Sequence, residues 1–175
     1  MKDLLNKTHR GFTIIEVMIV LAIAGLIMVI VFIAVPQLQR NQRDNARQNI
    51  VNRLKAEMET YAGNNQGEYP FKASCSTTGC WQDFYNRYVS GDKVNVKDPS
   101  LGTDVVGPTL GQPLAYSSPT APALPATKGI IAITYGAKCS GELWAASGSP
   151  STSARTYAIM IGLDRDGTRY CVDNG

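Results

Sequence analysis

The chain has 175 residues, 44% of them apolar and 18% charged. That length fits one ordinary domain, and that balance is too apolar and too weakly charged for a disordered chain. The net charge is only +3, and Lys2, Lys7 and Arg10 against Asp3 put much of the surplus at the N-terminus, so no strong nucleic-acid binding is expected. The one histidine, His9, lies in this basic leader. A Ser-His-Asp or Cys-His catalytic set would have to use it, and a histidine-ligated metal centre is nearly excluded. The sequence therefore predicts no enzyme, no catalytic residue, no metal and no cofactor.

From Phe12 to Val35 an apolar run is broken only by Thr13, Glu16 and Gly25. As a helix it is ~36 Å long, enough to cross the ~30 Å hydrocarbon core of a bilayer. Its many β-branched residues would weaken a helix in water. In lipid every backbone group must be bonded internally, which leaves helix as the workable state. A soluble core helix is rarely so apolar on every face. Glu16 is the anomaly, a carboxylate that is costly in lipid. Neither Phe12 at i−4 nor Val20 at i+4 offers it a cation. Either it is solvated at headgroup depth, or it awaits a positive partner from another chain.

Three fates of this segment compete. Ala22-Ile23-Ala24 before Gly25 mimics the small-x-small site of a secretory signal. A cut there would leave the apolar stretch Leu26–Val35 at the new terminus with nothing to hide it. A lipoprotein would carry a cysteine directly after the run, and none is there. Cleavage before the run keeps the anchor.

The stretch Arg10-Gly11-Phe12-Thr13-Ile14-Ile15-Glu16-Val17-Met18-Ile19-Val20-Leu21 resembles the leader and N-terminus of type IV pilins and pseudopilins. It shares their short basic leader ending in glycine, a phenylalanine, a glutamate four residues later and an unbroken apolar continuation. The resemblance is at motif level over residues 7–35 and architectural beyond. It implies that a prepilin peptidase cuts between Gly11 and Phe12 on the cytoplasmic side and that the new α-amine of Phe12 is methylated. It also implies that Glu16 pairs with the Phe12 amine of a neighbouring subunit during assembly. A buried pair is not automatically stabilising, because both charges lose water. It does strongly disfavour registers that leave one charge alone. Glu16 thus reads as a specificity device first and a source of filament stability second. Gly25 corresponds to the family's mid-helix glycine. Pro36 lies farther along the chain than the family's usual proline, so a bend or melted stretch is expected near the membrane exit.

After Pro36 the composition turns polar, and then Ala46, Ile50, Leu54, Met58 and Tyr61 recur at helical spacing, widened by Val51 and Ala62. The opposite faces carry Arg47, Gln48, Asn52, Arg53 and Glu59. Gly63-Asn64-Asn65 is a stop signal. Residues 12–62 are predicted as one long helix of ~75 Å, lipid-soluble in its first half and amphipathic in its second. Arg40, Arg43 and Arg47 follow the anchor as Lys2, Lys7 and Arg10 precede it, so charge counts leave its orientation open. The family resemblance implies the N-terminus inside.

Beyond residue 68 no long helical periodicity appears. Ile130–Tyr135, Thr156–Leu163 and Thr168–Val172 read as strands, with Leu114–Ser117 a further candidate. Asp164-Arg165-Asp166-Gly167 reads as a hairpin turn, lacking the later ligands of a calcium loop. Tyr85, Tyr88 and Val89 suggest a short helix, and Ser117–Thr127 and Ser147–Ser153 are loops. Three or four antiparallel strands on the amphipathic half-helix give an α+β head. Cys75, Cys80, Cys139 and Cys171 all lie beyond the anchor, and an even count in an exported domain favours disulfides over a four-thiolate zinc. Three connectivities are open. The preferred one is Cys75–Cys80 with Cys139–Cys171, the latter resembling the disulfide-bounded C-terminal region of many pilins.

The organisation expected is a leader at 1–11, a transmembrane and filament-core helix at 12–35, an amphipathic half-helix at 36–62 and a β head at 63–175. By resemblance the chain is a prepilin, held in the cytoplasmic membrane and then polymerised into an extracellular helical homo-oligomer, a type IV pilus. The partners implied are the prepilin peptidase, an inner-membrane assembly platform and the lipid bilayer. A minor pilin or pseudopilin of a type II secretion or competence system is the nearest alternative. A signal-anchored binding module that never polymerises is the next.

Overall fold

The structure, a computed structural model, describes residues 11–71, 77–91, 93–107, 114–115, 128–146, 155–165 and 167–175. Its elements are α1 (Ile14–Asn64), α2 (Thr77–Phe84) with a π-helical continuation (Tyr85–Val89), β1 (Leu114–Ala115), β2 (Ile131–Tyr135), β3 (Ala137–Ser140), β4 (Leu143–Ala146), β5 (Tyr157–Gly162) and β6 (Arg169–Asp173). This is the expected α+β architecture, a long helix followed by a small sheet. The chain divides into two compact units between Gln39 and Arg40.

In the first unit α1 runs through both Gly25 and Pro36, and neither interrupts it in the free chain. Proline removes one backbone donor, yet the helix continues to Asn64. Every residue from Gly11 to Gln39 is exposed. Such a face on a soluble surface would be a large apolar liability.

In the second unit the predicted stripe is buried from Ile50 onward, while Ala46 at its start is half-buried. Ile50, Val51, Leu54, Met58, Tyr61 and Ala62 are buried. All but Ala62 share a core with Trp81 and Phe84 of α2 and with Ile131, Ile133, Tyr157, Ile159 and Ile161 of the sheet. Trp81 donates its indole N–H to the Gly107 carbonyl at 3.0 Å, so its large ring is buried without an orphaned donor.

The main sheet has strand order β1-β2-β5-β6. Ile133 lies opposite Ile159, and Met160 opposite Cys171. Three of these strands are the predicted ones, shifted by a residue at their ends. β1 departs from expectation, because it pairs parallel with β2 rather than antiparallel. A hairpin of β3 and β4 was not foreseen and forms a separate two-stranded sheet. It covers the far face of the main sheet. Strand alternation explains why β5 is buried at every position. Tyr157, Ile159 and Ile161 enter the α1 core, while Ala158 and Met160 pack with Ala137 and Trp144 of the hairpin. The Cys139–Cys171 disulfide, with Cα atoms 5.9 Å apart, ties this hairpin to edge strand β6. Cys80 is buried. Its preferred partner Cys75 lies outside the described residues, as do the loop segments Ser117–Thr127 and Ser147–Ser153.

One side chain reverses its prediction. Arg47, assigned to the polar face, is fully buried. A guanidinium is buried only where its donors are matched. Its Nε and Nη2 reach the Asp98 carboxylate at 2.7 and 3.2 Å, and Nη2 also donates to Ser100 Oγ at 2.8 Å. Nη1 lies 3.2 Å from both Asp44 and Asp164. Asp98 accepts further bonds from the backbone N–H of Ser100 (2.8 Å) and Leu101 (2.9 Å) and from the Ser100 hydroxyl (2.7 Å). Burial alone would raise the Asp98 carboxyl pKa, but the bonds from Arg47 and from Ser100 and Leu101 outweigh it and hold the group well below the carboxylate range. Asp164, in the β5–β6 turn, is lowered chiefly by its hydrogen bonds from Arg43 and then, against some desolvation, by Arg47. Both of its oxygens accept hydrogen bonds from these arginines.

Gly129 closes on this network from the other side. Its φ is +73°, and a Cβ built there would lie 2.5 Å from Asp98 Oδ2. Gly129→Ala is expected to destabilise the folded head by about 2 kcal/mol or more, from left-handed strain plus displacement of Asp98. Denaturant unfolding measures it, and an unchanged midpoint would contradict it.

Candidate assembly site

The first unit presents Gly11 and Phe12 ahead of α1, with Phe12 90% exposed. Because α1 opens at Ile14, Thr13 is its N-cap and Glu16 its third residue. The two side chains close reciprocally. The Thr13 N–H donates to Glu16 Oε2 at 2.9 Å, the Thr13 hydroxyl donates to the same oxygen at 2.7 Å, and the Glu16 N–H donates to Thr13 Oγ1 at 3.3 Å. This is a capping box, which satisfies helix-terminal donors that lipid would leave orphaned. The T-x-x-E spacing of this box is in the sequence, where hydropathy alone shows Thr13 only as a break in the apolar run.

Glu16 is therefore not idle in the isolated chain. One oxygen serves the helix terminus, and Oε1 has no hydrogen-bond partner among the described residues, so the group keeps a free acceptor. Glu16 also borders an apolar groove of about 280 Å³ with Phe12, Val17, Val20 and Leu21. An acid of this kind beside exposed aliphatic side chains suits a partner that offers an ammonium and an apolar surface together.

The remaining sequence-predicted positions are not brought to this point. Gly25 and Pro36 lie farther along α1. Cys80, Cys139 and Cys171 belong to the second unit, as the Arg47 network does. Among the described residues α1 is the one helix long and apolar enough to cross a membrane, and its apolar window is entirely unburied.

A family model described as the prokaryotic N-terminal methylation motif matches residues 6–32. No curated protein and no solved structure matches the chain. The matched segment holds Gly11, Phe12, Thr13, Glu16 and Gly25 and ends inside α1. The chain thus carries, over residues 6–32, the class III signal motif found in type IV pilins and pseudopilins, and that motif together with the apolar helix supports a membrane-anchored, pilin-like or pseudopilin precursor.

Proposed function

We propose that the chain is the structural subunit of a type IV pilus, with no catalytic role. The leader, residues 1–11, is removed by a prepilin peptidase between Gly11 and Phe12, and the Phe12 amine is methylated. Residues 12–35 then span the cytoplasmic membrane with the N-terminus inside, and an inner-membrane platform extracts subunits into an extracellular filament. Residues 12–35 form the filament core, 36–62 the amphipathic half of the spine, and 63–175 the head. Gly25 and Pro36 are the positions where the helix would yield when packed among copies.

One observation carries this reading: a capped acid at the first turn of a fully exposed apolar helix, immediately after the Gly11-Phe12 junction. Removed from lipid, that helix needs apolar neighbours on all sides, and copies of itself supply them. The second carboxylate oxygen is the acceptor offered to the amine of an arriving Phe12. The hydrophobic effect supplies cohesion, and Glu16 supplies register.

Processing has a direct check. The N-terminal sequence of mature protein is expected to begin at Phe12, and Gly11→Val is expected to leave the precursor uncut. A mature terminus elsewhere, above all after Ala24, would overturn the scheme. Electron microscopy of cells lacking this chain tests the filament itself. Loss of long surface fibres fits a major pilin, and normal fibres with a secretion or DNA-uptake defect fit a minor pilin or pseudopilin.

A further inference from the structure

Around the first helical turns of the second unit, charges separate by depth. Arg43, Arg47 and Lys128 all reach Asp164, Lys128 at 4.0 Å. Arg165, next in sequence, lines a polar groove of about 410 Å³ beside Asn41 and Asp44 of α1. Arg40 is the residue before Asn41. The acids here are covered: side-chain exposure is 0% for Asp98, 4% for Asp164 and 18% for Asp44. Three of the cations are not. Lys128 is 52% exposed, and Arg40 and Arg165 are exposed. Glu142 is the exposed carboxylate on the same groove. Among the described residues this nearly balanced set therefore shows solvent more cations than acids, because Asp98 and Asp164 are spent inward on Arg43 and Arg47.

Arg40 has a fixed place along the chain. Arg40 is the fifth residue after Val35, the last of the apolar run, and those five residues are ~7–8 Å of helix. That is headgroup depth for a chain whose apolar run fills the hydrocarbon core. We propose that Arg40, Lys128 and Arg165, with Arg43 behind them, dock the head onto the phosphate groups of anionic lipids in the bilayer spanned by its own helix. The inference rests on the membrane-anchored reading above and extends it to the state that precedes extraction. Docking of this kind holds the head in one orientation at the membrane, and it is released when the helix leaves the bilayer.

The test uses the full chain in lipid nanodiscs that mix phosphatidylglycerol with phosphatidylcholine. A photoreactive headgroup probe is placed on one lipid or the other in separate runs. The phosphatidylglycerol probe is expected to label peptides containing Arg40, Lys128 and Arg165 at least fivefold more than the phosphatidylcholine probe, since each cation near an anionic surface favours binding by about fivefold. High salt and the exposed-site triple variant Arg40→Gln, Lys128→Gln, Arg165→Gln should each abolish the preference, while Arg155→Gln should keep it. Equal labelling by the two probes overturns the proposal. So does displacement of the label by millimolar inorganic phosphate, which would make these cations a free-anion site. So does equal protection by a DNA fragment with neutral lipid alone. A separate acyl-chain probe reads insertion of residues 12–35. If that helix is unlabelled, the membrane-anchored reading fails, and the proposal falls with it for a different and visible reason.

Discussion

Glu16→Ala is expected to give a chain that is processed at Phe12 and resident in the membrane but forms few or no filaments. Two losses coincide in that variant. The capping box goes, at a cost of about 1 kcal/mol to the helix terminus. The negative charge goes as well, and with it any preference for the register that brings a neighbour's amine to this turn. Glu16→Gln separates them. Glutamine at the third helical position still completes a capping box with Thr13, so helix start and membrane level should be normal while the charge is absent. Filament counts that fall by an order of magnitude or more in both variants place the role in the charge. Full piliation by Glu16→Gln would reduce Glu16 to a helix cap, and full piliation by Glu16→Ala would remove the role altogether. Thr13→Val is the complementary case, with the charge kept and the box opened. It should assemble, with a helix start that frays faster in hydrogen exchange.

Arg47→Met is expected to destabilise the head by about 3–5 kcal/mol, the range found when one partner of a buried ion pair is removed. The loss arises less from the attraction deleted than from Asp98 and Asp164 being left in the interior without their cation. Asp98→Asn in the Arg47→Met background should recover part of the loss, because the buried charge then disappears with its partner. Additive losses would show that the two residues act independently. The same network sets the pH dependence. Asp98 and Asp164 have folded pKa values below their unfolded ones. Their contribution is therefore full above the ordinary carboxylate range near ~4 and is lost as pH falls through it toward the depressed folded values. Unfolding midpoints should be flat near neutrality and drop in acid, and the drop should be shallower in the Arg47→Met, Asp98→Asn double variant. A native-like acid slope in that variant would assign the acid sensitivity to other groups.

The fold was legible where one residue type repeats at one period. Ile50, Leu54, Met58 and Tyr61 announce a buried helix face, and the β-branched runs at Ile131–Tyr135 and Tyr157–Gly162 announce strands. Arg47 was misplaced because periodicity sorts a charge outward unless its partner is known, and its main partner, Asp98, is 51 residues away. The β3–β4 hairpin escaped because Ala137–Ser140 and Leu143–Ala146 are mostly small or polar, with little strand propensity to see. What builds it is non-local: Trp144 against Met160 and Ala158, and the bond from Cys139 to Cys171. Turn glycines bound it, since Gly136 and Gly141 both have φ above +60°. At the candidate site the Gly11-Phe12 and Glu16 pattern was plain. Thr13 was equally readable but was weighed as an interruption of hydropathy rather than as a hydrogen-bonding partner.

The attachment of α1 to the head bears on what happens under load. A pull along the helix reaches the second unit at Arg40. The next residues it meets are Arg43 and Arg47, which grip the β5–β6 turn and the Asp98 loop, and behind them stands the apolar stripe from Ile50 to Tyr61. These contacts are spread along the helix, so tension strains them side by side rather than one after another. A joint loaded that way yields at a much higher force than one that opens like a zipper, even at equal equilibrium stability. The head should therefore stay on its helix through traction that would peel a strand from the edge of a sheet.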